Sequence, residues 1–472
     1  MYYNWFGIRF KAVDAAHRCL GPVVRISPNH LSFGAATSFK EIYGHKAKIV
    51  KDVFYSNLAG DTPNMADEVI PHQHARKRKY LAAIFAAKNV NTFEPRIQEM
   101  TVKLLDCLKI KAQGGKVAAM DAYTSRPDGT FDVRPWFNMF TFDVISYLLW
   151  SESFGFLDRG NDLTTAETEQ GQKTTMNAMD SFQKTVWFSV WCAHLPPWAY
   201  TAVQTLTKAS KYSKAGDDFT NMARHMINRR IANPPSQPDF FSFLPLEVDE
   251  KGRPAMPMWE IIAECSVMLN AGNDTTQTTL VNNILMLATH PHIQEKLRDI
   301  LRESIPENER PVTSYAKLSQ IPFLRAVLDE TFRLVTPQKF GLPRRTVETS
   351  VIDGHFIMPG VTVSGPLSEL HLSPELFTKP LEWIPERWMP ENPDFTDEER
   401  HNLRDFVMPF TTGTRACIGR NLAYMEVSIA MAALVLSFEW KMPDGPLENH
   451  FGQFERITSN PTKLFVKPVA LA

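Results

Sequence analysis

Phe410-Thr-Thr-Gly-Thr-Arg-Ala-Cys-Ile-Gly419 sets one thiol, Cys417, between two glycines and just after Arg415. An apolar, helix-forming run from Leu422 to Leu436 follows at once. The thiol therefore stands at the mouth of a helix. Glycine adopts backbone angles closed to other residues, so Gly413 and Gly419 let the loop turn N–H groups toward the sulfur. Those donors, with the positive end of the helix dipole, favour thiolate over thiol. Arg415 is placed to neutralise the anion of a ligand nearby. The loop offers one soft, anionic ligand to a metal; on these residues alone, zinc or a plain reactive cysteine stays open.

The rest of the chain bounds the answer. Its 472 residues are 44% hydrophobic and 22% charged, ordinary for a globular chain with a large core. Basic and acidic side chains nearly cancel, 51 against 52, which argues against a nucleic-acid partner. The five cysteines (Cys19, Cys107, Cys192, Cys265 and Cys417) are scattered and form no CxxC pair. Neither a disulfide framework nor a four-cysteine zinc site is expected, and a reducing compartment or the cytosolic face of a membrane fits. No run reaches the roughly 18 apolar residues that cross a bilayer. The start, MYYNWFGIRFKAV, is interrupted by Asn4, Arg9 and Lys11 and resembles neither a signal peptide nor an anchor.

Residues 23–33 alternate around Pro28 and predict a short hairpin. Helical patterns cover 74–112, restarted at Pro95, and 136–150. The polar span 158–180 reads as loop. Residues 182–200 concentrate Phe182, Trp187, Phe188, Trp191, Trp198 and Tyr200. They read either as two packed helices joined at Pro196-Pro197 or as an aromatic loop touching a membrane interface. The longest helical pattern runs from Met258 to Thr289, about 45 Å at 1.5 Å per residue. Further helices are expected over 291–304 and 322–335, a small sheet over 342–365 and a structured meander over 377–409. With no linker to split it, residues 1–472 read as a single domain, mainly α with a small β region.

Within the long helix, five of the six residues Ala271-Gly-Asn-Asp-Thr-Thr276 are poor helix formers, together costing about 3 kcal/mol relative to alanine. Ala271 and Gly272 leave room for something flat. The Thr275 hydroxyl can bond back to the Ala271 carbonyl and bend or open the helix, leaving a groove with a carboxylate and a hydroxyl. The plainer alternative is a helix crossing at Gly272 with Asp274 solvated. Glu330 and Arg333 share a helix face; alone they read as a surface pair. Pro385-Glu-Arg-Trp388 carries Arg387, a second arginine able to complete a buried network. His74, Arg78, Arg344 and Arg415 together can bind a dianion through charge-assisted hydrogen bonds.

These pieces resemble the cytochrome P450 family of haem-thiolate monooxygenases over nearly the whole chain. FTTGTRACIG fits the family's F-x-x-G-x-R-x-C-x-G loop, AGNDTT its oxygen-activation motif, ETFR its ExxR motif and PERW its PERF-like motif, in the family's order. The resemblance implies the cytochrome P450 fold, with haem b between the long central helix and the Cys-loop helix. Cys417 would be the axial thiolate and metal ligand, with Phe410 packed by the sulfur. His74, Arg78, Arg344 and Arg415 would grip the propionates, His74 standing where many members carry Trp. Asp274 and Thr275 would deliver protons during O2 activation, and Glu330, Arg333 and Arg387 would form a structural triad.

Electrons would come from NADPH through an NADPH–cytochrome P450 reductase, with cytochrome b5 as a second donor. Arg76, Lys77, Lys79 and Arg420 are its candidate docking charges; simple solvated charge is the alternative for each. GPVVRISPNHLSF and HPHIQEKL resemble the filamentous-fungal branch, whose members often tailor terpenoids and polyketides. By analogy the pocket is lined from 54–66, 267–271, 336–342 and near Ile457, with Val267, Asn270, Ala271, Phe340 and Leu342 singled out. Most are apolar, so a lipophilic secondary metabolite is the expected substrate. The N-terminal membrane helix usual in this branch is not recognisable before Gly21-Pro22. Kinship implies the cytosolic face of the endoplasmic reticulum membrane, supported in this chain by the aromatic stretch around Trp191. The alternatives are a haem-thiolate enzyme that rearranges peroxides without activating O2, against which Asp274 and Thr275 speak, and a non-catalytic haem-binding protein.

Overall fold

The computed structural model describes residues 2–59, 62–246 and 255–471. The longest apolar pattern forms the longest helix, Met258–Thr289, continuous over 32 residues. It ends at His290 because Pro291 lacks the N–H that would continue it, while the fixed φ of Pro291 opens the next helix, Pro291–Ser304. The same device starts Pro71–Ile84, Glu94–Ala112, Arg134–Trp150 and Pro322–Leu334.

Arg134–Trp150 is apolar almost all round and is accordingly enclosed on every side, with Trp136, Phe137, Phe140 and Phe142 fully buried. It packs against the long helix where Gly272 meets Ile145. A Cβ on Gly272 would stand 3.1 Å from Ile145 Cγ1, so this glycine serves a helix crossing. Ala271 and Thr275, facing the cavity described below, are what leave that face of the helix open. The helix after the thiol, Arg420–Ser437, is buried along nearly its whole length.

The β region draws on both ends of the chain. Val23–Ser27 and His30–Phe33 form the expected hairpin. Thr362–Ser364 joins it in parallel, followed by Arg344–Thr346 and Ile49–Lys51. A second sheet sets Phe438–Lys441 and Phe451–Glu455 on either side of Ser459–Ala470. The turn of that hairpin carries Ile457 and Thr458 to the long helix.

Two sequence expectations are corrected here. Residues 158–180 hold a hairpin, Leu163–Glu167 with Lys173–Asn177, because their threonines are β-branched strand formers whose polarity masked the signal. The meander contains a helix, Asp397–Phe406, capped by the Thr396 side chain. The aromatic stretch forms two helices, Ala178–Ala193 and Pro197–Thr207. Trp187 and Trp191 pack on Trp5, with ring centroids 4.0 and 5.5 Å apart, while Trp198 is 77% exposed. Among the described residues, no helix is long and apolar enough to cross a membrane.

Candidate active site

The thiol loop closes on itself: the Cys417 N–H donates to the Phe410 carbonyl at 2.9 Å. Two of its residues take left-handed φ, Thr411 at 56° and Gly413 at 77°. A Cβ on Gly413 would fall 2.2 Å from the Tyr43 carbonyl oxygen, so only glycine fits. Thr411 has no such excuse, and a β-branched residue there costs about 1–2 kcal/mol. Gly419 differs from expectation: its φ of −82° is open to any residue. Space does not demand glycine either, since a Cβ would meet Phe85 at 3.9 Å and Cys417 Sγ at 4.0 Å, ordinary contact distances. The Phe410 ring packs between Phe332 and Tyr424, at 5.4 and 5.1 Å.

The Cys417 side chain is exposed on the slot described below, yet desolvation by the protein around it raises the thiol above its ordinary value, against the Gly419 N–H, Arg78 and Arg420, which favour the thiolate. The loop by itself therefore favours thiol, contrary to the reading of its donors alone. A coordinated metal cation would tip the balance, because a coordinating thiol is deprotonated outright.

Above the loop lies a slot of about 230 Å³, lined by Cys417, Phe410, Leu422 and Ala423 from the thiol side and Val267, Ala271, Gly272 and Thr275 from the long helix. His74, Arg78, Arg415 and Lys51 line it too. Their hydrogen bonds go to neutral acceptors. Arg78 donates to the Ala416 carbonyl at 3.0 Å and Arg415 to the Glu68 carbonyl at 2.7 Å. Arg344 donates to Tyr55 Oη at 3.4 Å and the Pro343 carbonyl at 3.2 Å. Crowding shifts their proton affinities. Burial, then Arg415 and Arg78, lowers His74 to about 3; burial, then Arg344, lowers Arg415 to about 10. A ring of like charge around an apolar slot beside a soft ligand fits a flat, metal-centred dianion such as haem b.

A second cavity of about 460 Å³ adjoins the slot and shares Lys51, Val267, Ala271, Thr275 and Arg415 with it. Tyr55, Leu58, Thr62, Asn64, Asn270, Leu342 and Ile457 line it, so the expected stretches 54–66, 267–271, 336–342 and Ile457 all contribute. Residues 60 and 61 of the first stretch lie outside those described. Phe340 is corrected: it is buried, with the Arg9 guanidinium 5.0 Å from its ring centroid, and lines a separate cleft. The walls are also more polar than expected, with Thr185, Ser189, Ser266 and Gln338 among them.

Thr275 Oγ1 donates to the Ala271 carbonyl at 2.8 Å, as expected, yet the helix stays continuous through it. Asp274 is buried, not solvated, and its carboxylate accepts from Thr458 Oγ1 and Asn460 Nδ2. Burial raises it to about 6, against the opposing pull of Thr458, Arg134 and Asn460. Thr458 and Asn460 were invisible in the sequence, being polar residues near a distant hairpin turn. Lys51 was overlooked because it ends a three-residue strand.

Behind the slot, Arg333 grips Glu330 with both arms, Nε to Oε2 at 2.9 Å and Nη2 to Oε1 at 2.8 Å. Arg387 Nε reaches Oε1 at 2.9 Å, and its Nη1 reaches Glu399 at 2.7 Å. Trp388 Nε1 and the Ile384 N–H also donate to the Glu330 carboxylate, at 3.0 Å each. Glu330, Arg333 and Arg387 are all fully buried.

Of the four docking charges, two are corrected. Lys77 is buried and bridges Glu68 and Glu260 at 3.4 and 3.3 Å, and Arg76 pairs with Glu260. Lys79 and Arg420 remain exposed. Arg420 opens onto a broad concavity behind the thiol loop, with Lys46, Arg325 and Arg404.

The cytochrome P450 family profile matches residues 2–468. Cytochrome P450 monooxygenase ORF11 of Penicillium roqueforti is 31% identical over 440 residues, covering 91% of this chain and 83% of that protein. Benzoate 4-monooxygenase bphA of Aspergillus niger is 29% identical over 466 residues, covering 94% and 86%. The crystal structure of the cytochrome P450DA heme domain superposes with a TM-score of 0.77 at 17% identity, covering 100% and 95%. The chain belongs to the cytochrome P450 family. It is accordingly a haem-dependent monooxygenase, an oxidoreductase that uses O2, haem iron with a thiolate ligand and an external redox partner.

Proposed function

We propose that Cys417 is the axial thiolate of haem b and that Arg78, Arg344, Arg415 and His74 hold its propionates. The observation that carries this reading is the slot itself: one thiol facing Ala271 and Thr275, rimmed by cations whose protein partners are neutral. His74, kept neutral by its surroundings, contributes a hydrogen bond. Bound haem supplies the iron at which O2 is activated and substrate oxidised. The triad Glu330–Arg333–Arg387 fixes the segment leading into the thiol loop. Residues 1–472 act as one catalytic domain.

Proton delivery falls to Asp274 and Thr275. The Thr275 hydroxyl spends its hydrogen on Ala271, so its lone pairs face the cavity and can take up a proton-bearing group. Asp274, poised at about 6 by burial, carries a proton for part of the time near neutral pH. This pair supports O2 activation over peroxide rearrangement. Thr275→Ala should keep haem and substrate binding while diverting most reducing equivalents to hydrogen peroxide. Unchanged coupling of NADPH use to product would contradict the assignment.

The substrate is a lipophilic small molecule bearing polar groups, in keeping with a secondary metabolite such as a terpenoid or polyketide. An aromatic acid also fits, since one relative is named for benzoate. The electron donor is an NADPH–cytochrome P450 reductase, or cytochrome b5, docking on the concavity at Lys46, Arg404 and Arg420. The chain works at the cytosolic face of the endoplasmic reticulum, touching the membrane through Tyr2, Phe6, Trp198 and Leu206, all exposed.

A further inference from the structure

Lys51 ends the strand Ile49–Lys51 and pairs in register with Arg344 on the neighbouring strand. Cross-strand partners project on the same face, so two cations stand side by side. Tyr55 fills the space between them. Lys51 Nζ lies 3.9 Å from its ring centroid, and Arg344 donates to its hydroxyl. Nζ also donates to the Ala66 carbonyl. Asp67, the nearby acid, is turned to Asn64 Nδ2 at 2.7 Å. The ammonium is thus held by a carbonyl and a ring, with Arg344 and Arg415 facing it. Burial, then Arg344 and Arg415, depresses it well below the usual lysine range against the pull of Asp67.

Position adds to this. Lys51 lines both the slot and the second cavity, at their seam. Two propionates carry two negative charges, and Arg78, Arg344 and Arg415 already exceed them. Asp67 attracts this fourth cation from within the chain, but its carboxylate is hydrogen-bonded to Asn64 and not to Nζ, so the ammonium at the seam is still able to meet an anion arriving from one side or the other. Resting on the haem reading above, we propose that Lys51 binds a carboxylate at the seam: a haem propionate or an acid group of the substrate. A carboxylate there would accept from Nζ and relieve the repulsion of Arg344 and Arg415.

The test compares the haem-loaded enzyme with Lys51→Gln and Lys51→Arg. Transfer of haem to excess apomyoglobin reads the propionate source, and the same protein loaded with haem dimethyl ester controls for it. Spectral titration with 4-tert-butylbenzoate and its methyl ester reads the substrate source. A propionate role predicts at least threefold faster haem loss from Lys51→Gln, absent with the dimethyl ester. A substrate role predicts at least fivefold weaker binding of the acid, the ester being unaffected and haem loss unchanged. Lys51→Arg should behave as wild type in whichever arm responds. If Lys51→Gln alters neither readout, the proposal is overturned. Failure of wild type to take up haem would overturn the haem reading first, and is recognised because it precedes any variant.

Discussion

Two clusters of buried charge lie on either side of the thiol loop, and they are built on opposite rules. Around Glu330 every charge is answered within the chain: Arg333 and Arg387 share Glu330, and Glu399 takes the remaining arm of Arg387. Around the slot and the cavity that adjoins it, where Arg344 lies, Lys51, Arg78, Arg344 and Arg415 converge on one another and donate only to carbonyls and a phenol. The first cluster is finished by folding. The second is finished by a ligand, and its unpaired charge is the physical trace of what it binds.

Removing one member of the finished cluster should have the largest effect. Glu330→Gln leaves the buried Arg333 guanidinium without its anion and Arg387 with Glu399 alone, at a cost of about 3–5 kcal/mol. Soluble, haem-loaded protein should be lost on expression, and a variant that melts like wild type would break the comparison. Glu426 sharpens it from the other side, as a buried acid lining the slot whose Oε1 has no partner. Burial alone raises it from 4.5 to about 8. The folded state therefore binds a proton that the unfolded state releases above pH 4.5. Stability is lost progressively from there to about pH 8 and is flat beyond. Glu426→Gln should gain nothing below pH 4.5 and up to about 5 kcal/mol at pH 8 and above, measured as melting temperature across that range.

The unfinished cluster should respond in the reverse sense. Arg78→Leu with Arg415→Leu removes mutual repulsion, so the haem-free protein should melt no lower than wild type. Haem transfer to apomyoglobin should accelerate at least about tenfold, equivalent to ~1.4 kcal/mol. A drop in haem-free stability would mean these arginines are structural after all. The smallest effect is expected at Thr458→Val, which removes one donor to the ionised Asp274. The pH limb of turnover assigned to Asp274 should move upward by about half a unit; a fixed limb would place the titrating group elsewhere.

The contrast also explains what was legible in the sequence. The long helix, the thiol loop, the ExxR pair and the small sheet are local patterns, readable because periodicity and proline punctuation act over a few residues. Gly272 was half legible: its small size was evident, but whether a ligand or Ile145 used the space depended on a distant helix. Lys77 beside Arg78 shows the limit. Neighbours on one helix, they read alike as basic residues, yet one is sealed among three acids and the other faces the slot. Phe340 went astray for the same reason, since two residues further on Leu342 does reach the cavity. Partners such as Thr458 and Asn460, 184 and 186 residues from Asp274, leave no local trace.

The reading of the slot rests on Cys417 supplying a thiolate to haem iron. The measurement that tests it most directly is the absorption of the dithionite-reduced, carbon-monoxide-bound protein. A band near 450 nm is predicted for wild type and its complete loss for Cys417→Ala. A band near 420 nm in freshly prepared, correctly folded wild type, or survival of the 450 nm band in Cys417→Ala, would contradict the account.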